Sequence, residues 1–230
     1  MHQEAELIRR SLKTPRAAAI AGIIFSLLLI TSQVLIRLSI PSDPLASPLE
    51  VVRHSKTVAI ALNLLPFAGI AFLWFIAVVR DRLGELEDRF FATVFLGSGL
   101  LYIAMLFTAA AIAGALIGLL ATDSGSLTAS FTYALGRQEI YRILNTFSAR
   151  MAAVFMISTS TIFTRTRILP RWVAFLGYAL AAALLLAGGS VTWIIMVFPL
   201  WVALISGSIL IENRQSRLVV IEGAETDNKV

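Results

Sequence analysis

Residues 90–121 read FFATVFLGSGLLYIAMLFTAAAIAGALIGLLA, and no charged residue interrupts this stretch. A helix of about 20 apolar residues crosses a bilayer core about 30 Å thick. Because lipid offers backbone amides no hydrogen-bond partners, such a stretch is expected to cross the membrane as a helix. This one is longer than a straight crossing requires, so we expect it to tilt or to reach into the headgroup layer.

Similar apolar stretches occur on both sides of this one. Together they predict an all-α, polytopic membrane helical bundle with six transmembrane helices, at about residues 17–38, 57–79, 90–121, 145–163, 172–187 and 193–211. Since 58% of the residues are hydrophobic and only 14% are charged, little remains for a separate soluble domain. We expect a single membrane domain, 17–211, between a basic N-terminal tail, 1–16, and a polar C-terminal tail, 212–230.

The segment between the third and fourth spans is more polar than either of them. Within residues 127–144, Leu127, Phe131 and Leu135 recur every four residues. That spacing is typical of a short helix lying in the membrane interface, and we predict one here.

Basic residues are unequally divided between the two sides that these spans define. Of the 19 Lys and Arg residues, 13 fall on the side of the two termini, and the other six are Arg37, Arg53, Lys56, Arg137, Arg142 and Arg150. Cytoplasmic loops carry an excess of Lys and Arg, so both termini are predicted to be cytoplasmic. The formal net charge of +5 therefore indicates contact with membrane lipids rather than with nucleic acid.

The residues that most enzyme and cofactor sites need are missing from the spans. The chain has no cysteine, and its only histidines are His2 and His54, so thiolate metal sites and multi-histidine sites are excluded. No lysine or aspartate lies within a span to serve as a catalytic dyad. We expect no enzymatic activity and no cofactor or metal. Lipid chemistry at the carboxylates of Glu85 and Asp88 is the remaining enzymatic alternative.

Arg150 is the most informative residue, because a guanidinium at the centre of a span costs about 2.5 to 3.5 kcal/mol. On a helical wheel it shares one side with a stripe of polar residues, namely Glu139, Arg142, Thr146, Thr161 and Thr164. Two interpretations are open. The stripe lines a cavity in which Arg150 attracts an anionic group, or Arg150 extends to the interface and pairs there.

Two buried amides and one ridge of small residues complete the candidate set. Gln33 and Asn63 either converge with the stripe as ligand or pore-lining groups or hold helices together. Ala110, Gly114 and Gly118 form a helix-packing ridge that serves contacts within the monomer or a homo-oligomer equally well.

In span count and loop pattern, the chain resembles the uncharacterised multi-pass bacterial membrane proteins grouped as domains of unknown function. Its most distinctive stretch is RDRLGELEDRFFATVFLGSGLLYIAMLF, Arg80 to Phe107. The resemblance implies an integral protein of a bacterial cytoplasmic membrane and transfers no functional residue.

These observations favour a non-enzymatic membrane protein that binds lipid or a lipophilic small molecule, or that serves as the accessory subunit of a membrane complex. The alternative is a small oligomeric transporter or channel for an anionic or polar solute, with the stripe around Arg150 lining its path.

Overall fold

The computed structural model describes the backbone of residues 2–39, 53–83, 89–122, 127–166, 170–187 and 193–211. Its helices are α1 (His2–Ser39), α2 (Ser55–Leu83), α3 (Arg89–Thr122), α4 (Leu127–Arg142), α5 (Ala149–Thr166), α6 (Arg171–Ala187) and α7 (197–211). A π-helical turn, Ile143–Ser148, joins α4 to α5 without a break, so the described residues form six continuous helices. The predicted all-α bundle is therefore confirmed for the described residues, which contain no strand.

Five of the six helices are long and apolar enough to cross a bilayer, over Ala17–Ser39, Ser55–Arg80, Phe90–Thr122, Phe131–Arg165 and Ile194–Ile211. The remaining helix, α6, is shorter and has 17 residues. At about 1.5 Å per residue it extends about 26 Å, close to the shortest span that a bilayer accepts. These lengths agree with an integral membrane protein.

Some predicted segments differ or cannot be compared. Because α1 begins at His2, the predicted N-terminal tail continues the first helix, as its Glu, Ala, Leu, Arg and Lys residues favour. Outside the described residues lie the first loop with its prolines, the turn holding Glu85 and Asp88, the turn of residues 188–192, and the tail 212–230.

Aromatic rings from four of the helices form the centre of the bundle. The ring of Phe72 on α2 lies 4.5 Å from Phe25 on α1, 5.2 Å from Phe155 on α5 and 5.6 Å from Phe198 on α7, measured between ring centres. All four side chains are fully or almost fully buried. Since lipid tails are as apolar as these rings, close packing rather than escape from water holds this centre together.

Small residues let the helices approach one another around these rings. At Gly22 on α1, an added Cβ would overlap Ser206 Oγ of α7 and would lie 2.9 Å from Phe75 Cδ2 of α2. Ser32 Oγ donates a hydrogen bond of 2.7 Å to the carbonyl of Ala61, which joins α1 to α2. Three helices therefore meet closely near Gly22, and two meet near Ser32.

The helix formed by α4, the π-turn and α5 runs antiparallel to α3 over most of its length. At one end the guanidinium carbon of Arg165 lies 4.6 Å from the centre of the Phe91 ring. Towards the other end, a Cβ added to Gly136 would lie 3.4 Å from Leu116 methyl carbons. The predicted interfacial helix is therefore wrong in orientation. The segment extends α5 and packs on α3, where Leu116, Leu120 and Tyr133 form a second buried cluster.

Three residues mark one end of the spanning region, called here the Arg37 end. The Arg37 guanidinium carbon lies 5.0 Å from the centre of the Trp193 ring, and Tyr141 lies within electrostatic range of Arg37. Along the helix, Tyr141 and Arg165 are about 36 Å apart at about 1.5 Å per residue. That length matches a hydrocarbon core of about 30 Å with part of each headgroup layer.

The hairpin of α3 and α4 continues beyond the Arg37 end. From Tyr141 to Leu127, α4 extends for about 21 Å more at the same rise per residue. Apolar side chains are exposed on this extension, with Leu119 at 39%, Phe131 at 72% and Leu135 at 53% of their surface. The described part of the hairpin is therefore longer than the membrane core is thick, and it exposes apolar side chains beyond the Arg37 end.

Candidate functional site

Part of the predicted polar stripe lies on the outward face of the helix formed by α4, the π-turn and α5. Glu139, Arg142 and Arg150 are exposed, and Thr146 is half-buried between the two arginines. Arg142, Thr146 and Arg150 follow at intervals of four residues and form one ridge, called here the arginine ridge. Within the described ranges, no ion pair joins Glu139, Arg142 or Arg150 to another side chain.

A small cavity lies on the opposite face of the same helix. Leu144, Ser148 and Ala152 line it, each two residues after a member of the arginine ridge, and two residues turn a helix by about 200°. The other lining residues come from α1, α3, α6 and the start of the last span, namely Gln33, Tyr102, Leu106, Leu184, Ile195 and Phe198, together with Ala149. The arginine ridge and the cavity are therefore separate candidate sites.

Gln33 is the one sequence-predicted site residue that lines this cavity. Its side chain is 8% exposed, and its Oε1 atom receives no hydrogen bond from the described residues. An amide oxygen buried without a donor costs about 1 to 3 kcal/mol. A residue that lines the cavity therefore carries an acceptor that needs a donor.

The volume of the cavity limits what it can hold. About 10 Å³ is open to the centre of a water-sized sphere, which is room for about one water molecule. Pockets for lipids or drug-sized molecules measure several hundred Å³. In this conformation the cavity is far too small for a lipophilic ligand.

Asn63 and Thr161 do not join either site. Asn63 is exposed on α2, and its Nδ2 donates to the carbonyl of Ala59 in its own helix at 2.9 Å. The hydroxyl of Thr161 lies 2.7 Å from the hydroxyl of Tyr178, so it joins α5 to α6. The structure therefore places Asn63 on the surface of the bundle and gives Thr161 a packing contact between helices.

The small-residue ridge of α3 is largely unused inside the chain. Ala110 is half-buried, whereas Gly114 and Gly118 are exposed. A Cβ added to Gly118 would meet no heavy atom of the described residues within 4 Å, and one added to Gly114 would meet only Leu62 at 4.0 Å. Contacts within the monomer do not explain why these two positions are glycine.

Two residues and the π-turn were missed by sequence reasoning. Tyr102 is the only tyrosine in the uncharged stretch of α3, and that polar group among apolar ones could have drawn attention to it. Ser148 is one of several serines on its helix, and nothing in its neighbours distinguishes it. The π-turn contains neither Pro nor Gly, so no residue in it predicts the change from α-helical to π-helical hydrogen bonding.

The described residues offer two kinds of polar group at these sites. Within the described residues, no group of three or more His, Cys, Asp or Glu side chains could hold a metal ion. What the two sites provide is a pair of surface guanidinium groups and a buried amide beside hydroxyl groups.

No protein-family model matches the chain, and neither a curated protein nor a solved structure is similar enough to it to count as a match.

Proposed function

We propose that this protein is a non-enzymatic integral membrane protein that binds the phosphate of an anionic lipid with Arg142 and Arg150. The observation that carries the proposal is the arginine ridge, two exposed guanidinium groups on one helix face without an acidic partner among the described residues. Arginine binds phosphate through two parallel charge-assisted hydrogen bonds, which suits this ligand.

The depth of the two arginines supports a lipid ligand. Arg142 follows Tyr141 at the Arg37 end, at the level expected for headgroups. Arg150 lies about 12 Å deeper along the helix at 1.5 Å per residue. An arginine at that depth reaches towards the interface and draws headgroups inward, since its charge is costly in hydrocarbon. A phosphate held between the two side chains would offset that cost.

With both termini in the cytoplasm, as the distribution of basic residues predicts, the arginine ridge faces the outer leaflet of a bacterial cytoplasmic membrane. The lipid would then be a phospholipid of that leaflet. Thr146 between the two arginines offers a hydroxyl as a further hydrogen-bond donor.

Native mass spectrometry of the protein in a mild detergent tests the proposal. Each arginine near a charged surface contributes about 1 kcal/mol, which is about fivefold in affinity. We expect Arg142→Gln and Arg150→Gln each to weaken retention of phosphatidylglycerol about fivefold, with little effect on phosphatidylcholine. Arg53→Gln is the matched control, because Arg53 is also an exposed arginine near the Arg37 end but lies just before α2, away from the arginine ridge.

Equal losses for Arg53→Gln would show that only general surface charge matters, and unchanged retention in the double variant would refute the lipid site. Arg150→Leu adds a further comparison, because it removes the cost of inserting a charge. It should leave membrane insertion intact while reducing phosphatidylglycerol binding.

A second function, as the accessory subunit of a membrane complex, is favoured by the part of the α3–α4 hairpin beyond the Arg37 end. Leu119, Phe131 and Leu135 are exposed there, and we propose that they lie outside the hydrocarbon core. Exposed apolar side chains outside the membrane core are typical of protein contacts. Co-purification of a membrane protein with the wild type, lost in Phe131→Glu, would support this role.

The transporter alternative keeps one supporting observation, the polar cavity at Gln33. The described conformation gives it room for about one water molecule, so a solute path would require the helices to separate. If the protein carried anionic or polar solutes into liposomes and Gln33→Leu abolished that flux, the result would favour the transporter function over lipid binding.

A further inference from the structure

We propose that the cavity beside the π-turn is a binding site for one water molecule, which donates to Gln33 Oε1 and accepts from the hydroxyl of Tyr102 or Ser148. This site lies on the face of the helix opposite the arginine ridge, so it is independent of the lipid site proposed above.

Gln33 identifies the chemistry of the occupant. Gln33 is more than nine-tenths buried and lines the cavity, and no described residue donates to its Oε1. Only a hydrogen-bond donor can satisfy an amide oxygen, and buried polar atoms nearly always find a partner. The occupant is therefore a donor.

The lining identifies the charge and size of the occupant. All other lining side chains are hydroxyl or apolar groups, so no opposite charge would stabilise an ion of either sign. The space holds about one water molecule, and a buried water needs about two to four polar partners. Gln33, Tyr102 and Ser148 supply three, so a single neutral water fits both the space and the partners.

The position of the cavity makes such a water a bridge between helices. Gln33 belongs to α1, Tyr102 to α3, and Ser148 to the π-turn between α4 and α5. Gln33 is one helical turn from Arg37, and Leu144 is about one turn from Tyr141, so the cavity lies just inside the Arg37 end. One water there joins three helices at a depth that solvent can reach.

A double-mutant cycle tests the bridge, because a water molecule that is bonded to two side chains couples the effects of replacing them. The full-length protein would be unfolded by a denaturing-detergent titration in mixed micelles, with Gln33→Met, Tyr102→Phe and Ser148→Ala alone and in pairs. Each variant keeps the size of the side chain or removes a single hydroxyl, which limits damage to the fold.

We expect Gln33→Met to raise the unfolding constant about fivefold, as for one lost hydrogen bond, and to couple with Tyr102→Phe or Ser148→Ala by a similar factor. Ser158→Ala is the matched control. Ser158 is also a buried serine on this helix, but its hydroxyl donates to the carbonyl of Val154 at 2.9 Å. It should show no coupling to Gln33→Met.

The opposite result is equally clear. If Gln33→Met leaves the protein as stable or more stable, and neither hydroxyl variant couples to it, the cavity is dry and the proposal fails. An experimental density map that shows a peak within hydrogen-bond distance of Gln33 Oε1 would confirm the water directly, and a featureless cavity in a well-ordered map would overturn it.

Discussion

The guanidinium carbon of Arg37 lies 5.0 Å from the centre of the Trp193 ring and so connects the end of α1 to the turn that leads into α7. A cation over an indole contributes about 0.5 to 2 kcal/mol, with the larger values where water is excluded. Since these two segments are far apart in sequence, the pair closes one end of the bundle.

We expect Trp193→Leu to destabilise the protein by about 1 kcal/mol and Arg37→Gln to have little further effect in that background. Trp172 provides the control, because it and Trp193 are each 58% exposed. Unfolding in mixed micelles would compare Trp193→Leu with Trp172→Leu. Equal losses would mean that the tryptophan anchors the interface and that the arginine contributes nothing.

Two glycines should respond in opposite ways to the same substitution. Gly22→Ala should destabilise the bundle by about 1 to 3 kcal/mol, because the added methyl group would press on the fully buried Phe75 ring and on Ser206. Gly118→Ala should be neutral or stabilise by up to about 1 kcal/mol, since a methyl group there meets none of the described residues within 4 Å. Thermal unfolding of both variants would measure this. A large loss of stability in Gly118→Ala would reveal a contact, such as a second subunit, at that face.

The hydroxyl groups of Thr161 and Tyr178 should be coupled. Hydrogen bonds between membrane helices contribute about 0.6 kcal/mol on average, and the cycle of Thr161→Val with Tyr178→Phe should give a value of that order. Thr159→Val is the comparison, because the Thr159 hydroxyl donates to Phe155 within its own helix. If lipid binding or solute flux changed in Thr161→Val while stability did not, Thr161 would be a ligand residue after all.

The absence of cysteine from the sequence makes the orientation simple to test. Arg53, two residues before α2, and Arg171, the first residue of α6, are exposed at opposite ends of the bundle. With both termini cytoplasmic, Arg53→Cys should react with a membrane-impermeant maleimide in intact cells, and Arg171→Cys only after permeabilisation. The reverse pattern would place the arginine ridge on the cytoplasmic leaflet.

The helices were predictable from sequence because a bilayer imposes length and polarity directly on each span. Residues 90–121 show this most clearly, since no soluble fold needs so long an uncharged run. The direction of α4 was not predictable in the same way. Phe131 and Leu135 have the spacing of a helix that lies on a membrane surface. However, Leu116 and Leu120 on α3 pack against the opposite side of α4, and this contact holds α4 alongside α3.

The candidate site was partly predictable for the same reason. Helical periodicity placed Arg142, Thr146 and Arg150 on one face, and the structure agrees. Which face points outward depends on how α5 packs against α3 and α6, and a single helix contains no information on that. Gln33 was recognisable as a polar group in a span, whereas its neighbours Tyr102 and Ser148 come from distant parts of the chain.

The uninterrupted helix from Leu127 to Thr166 has a mechanical consequence. It is about 60 Å long at about 1.5 Å per residue, which is longer than a membrane core of about 30 Å is thick, and its last turn lies beside Phe91. Such a helix can transmit force, because a sideways force on its Leu127 end is carried along the helix to Thr166 without passing through any loop. The π-turn, where the hydrogen-bond pattern changes, is the position at which this helix would bend. Bending there would widen or close the space around Gln33.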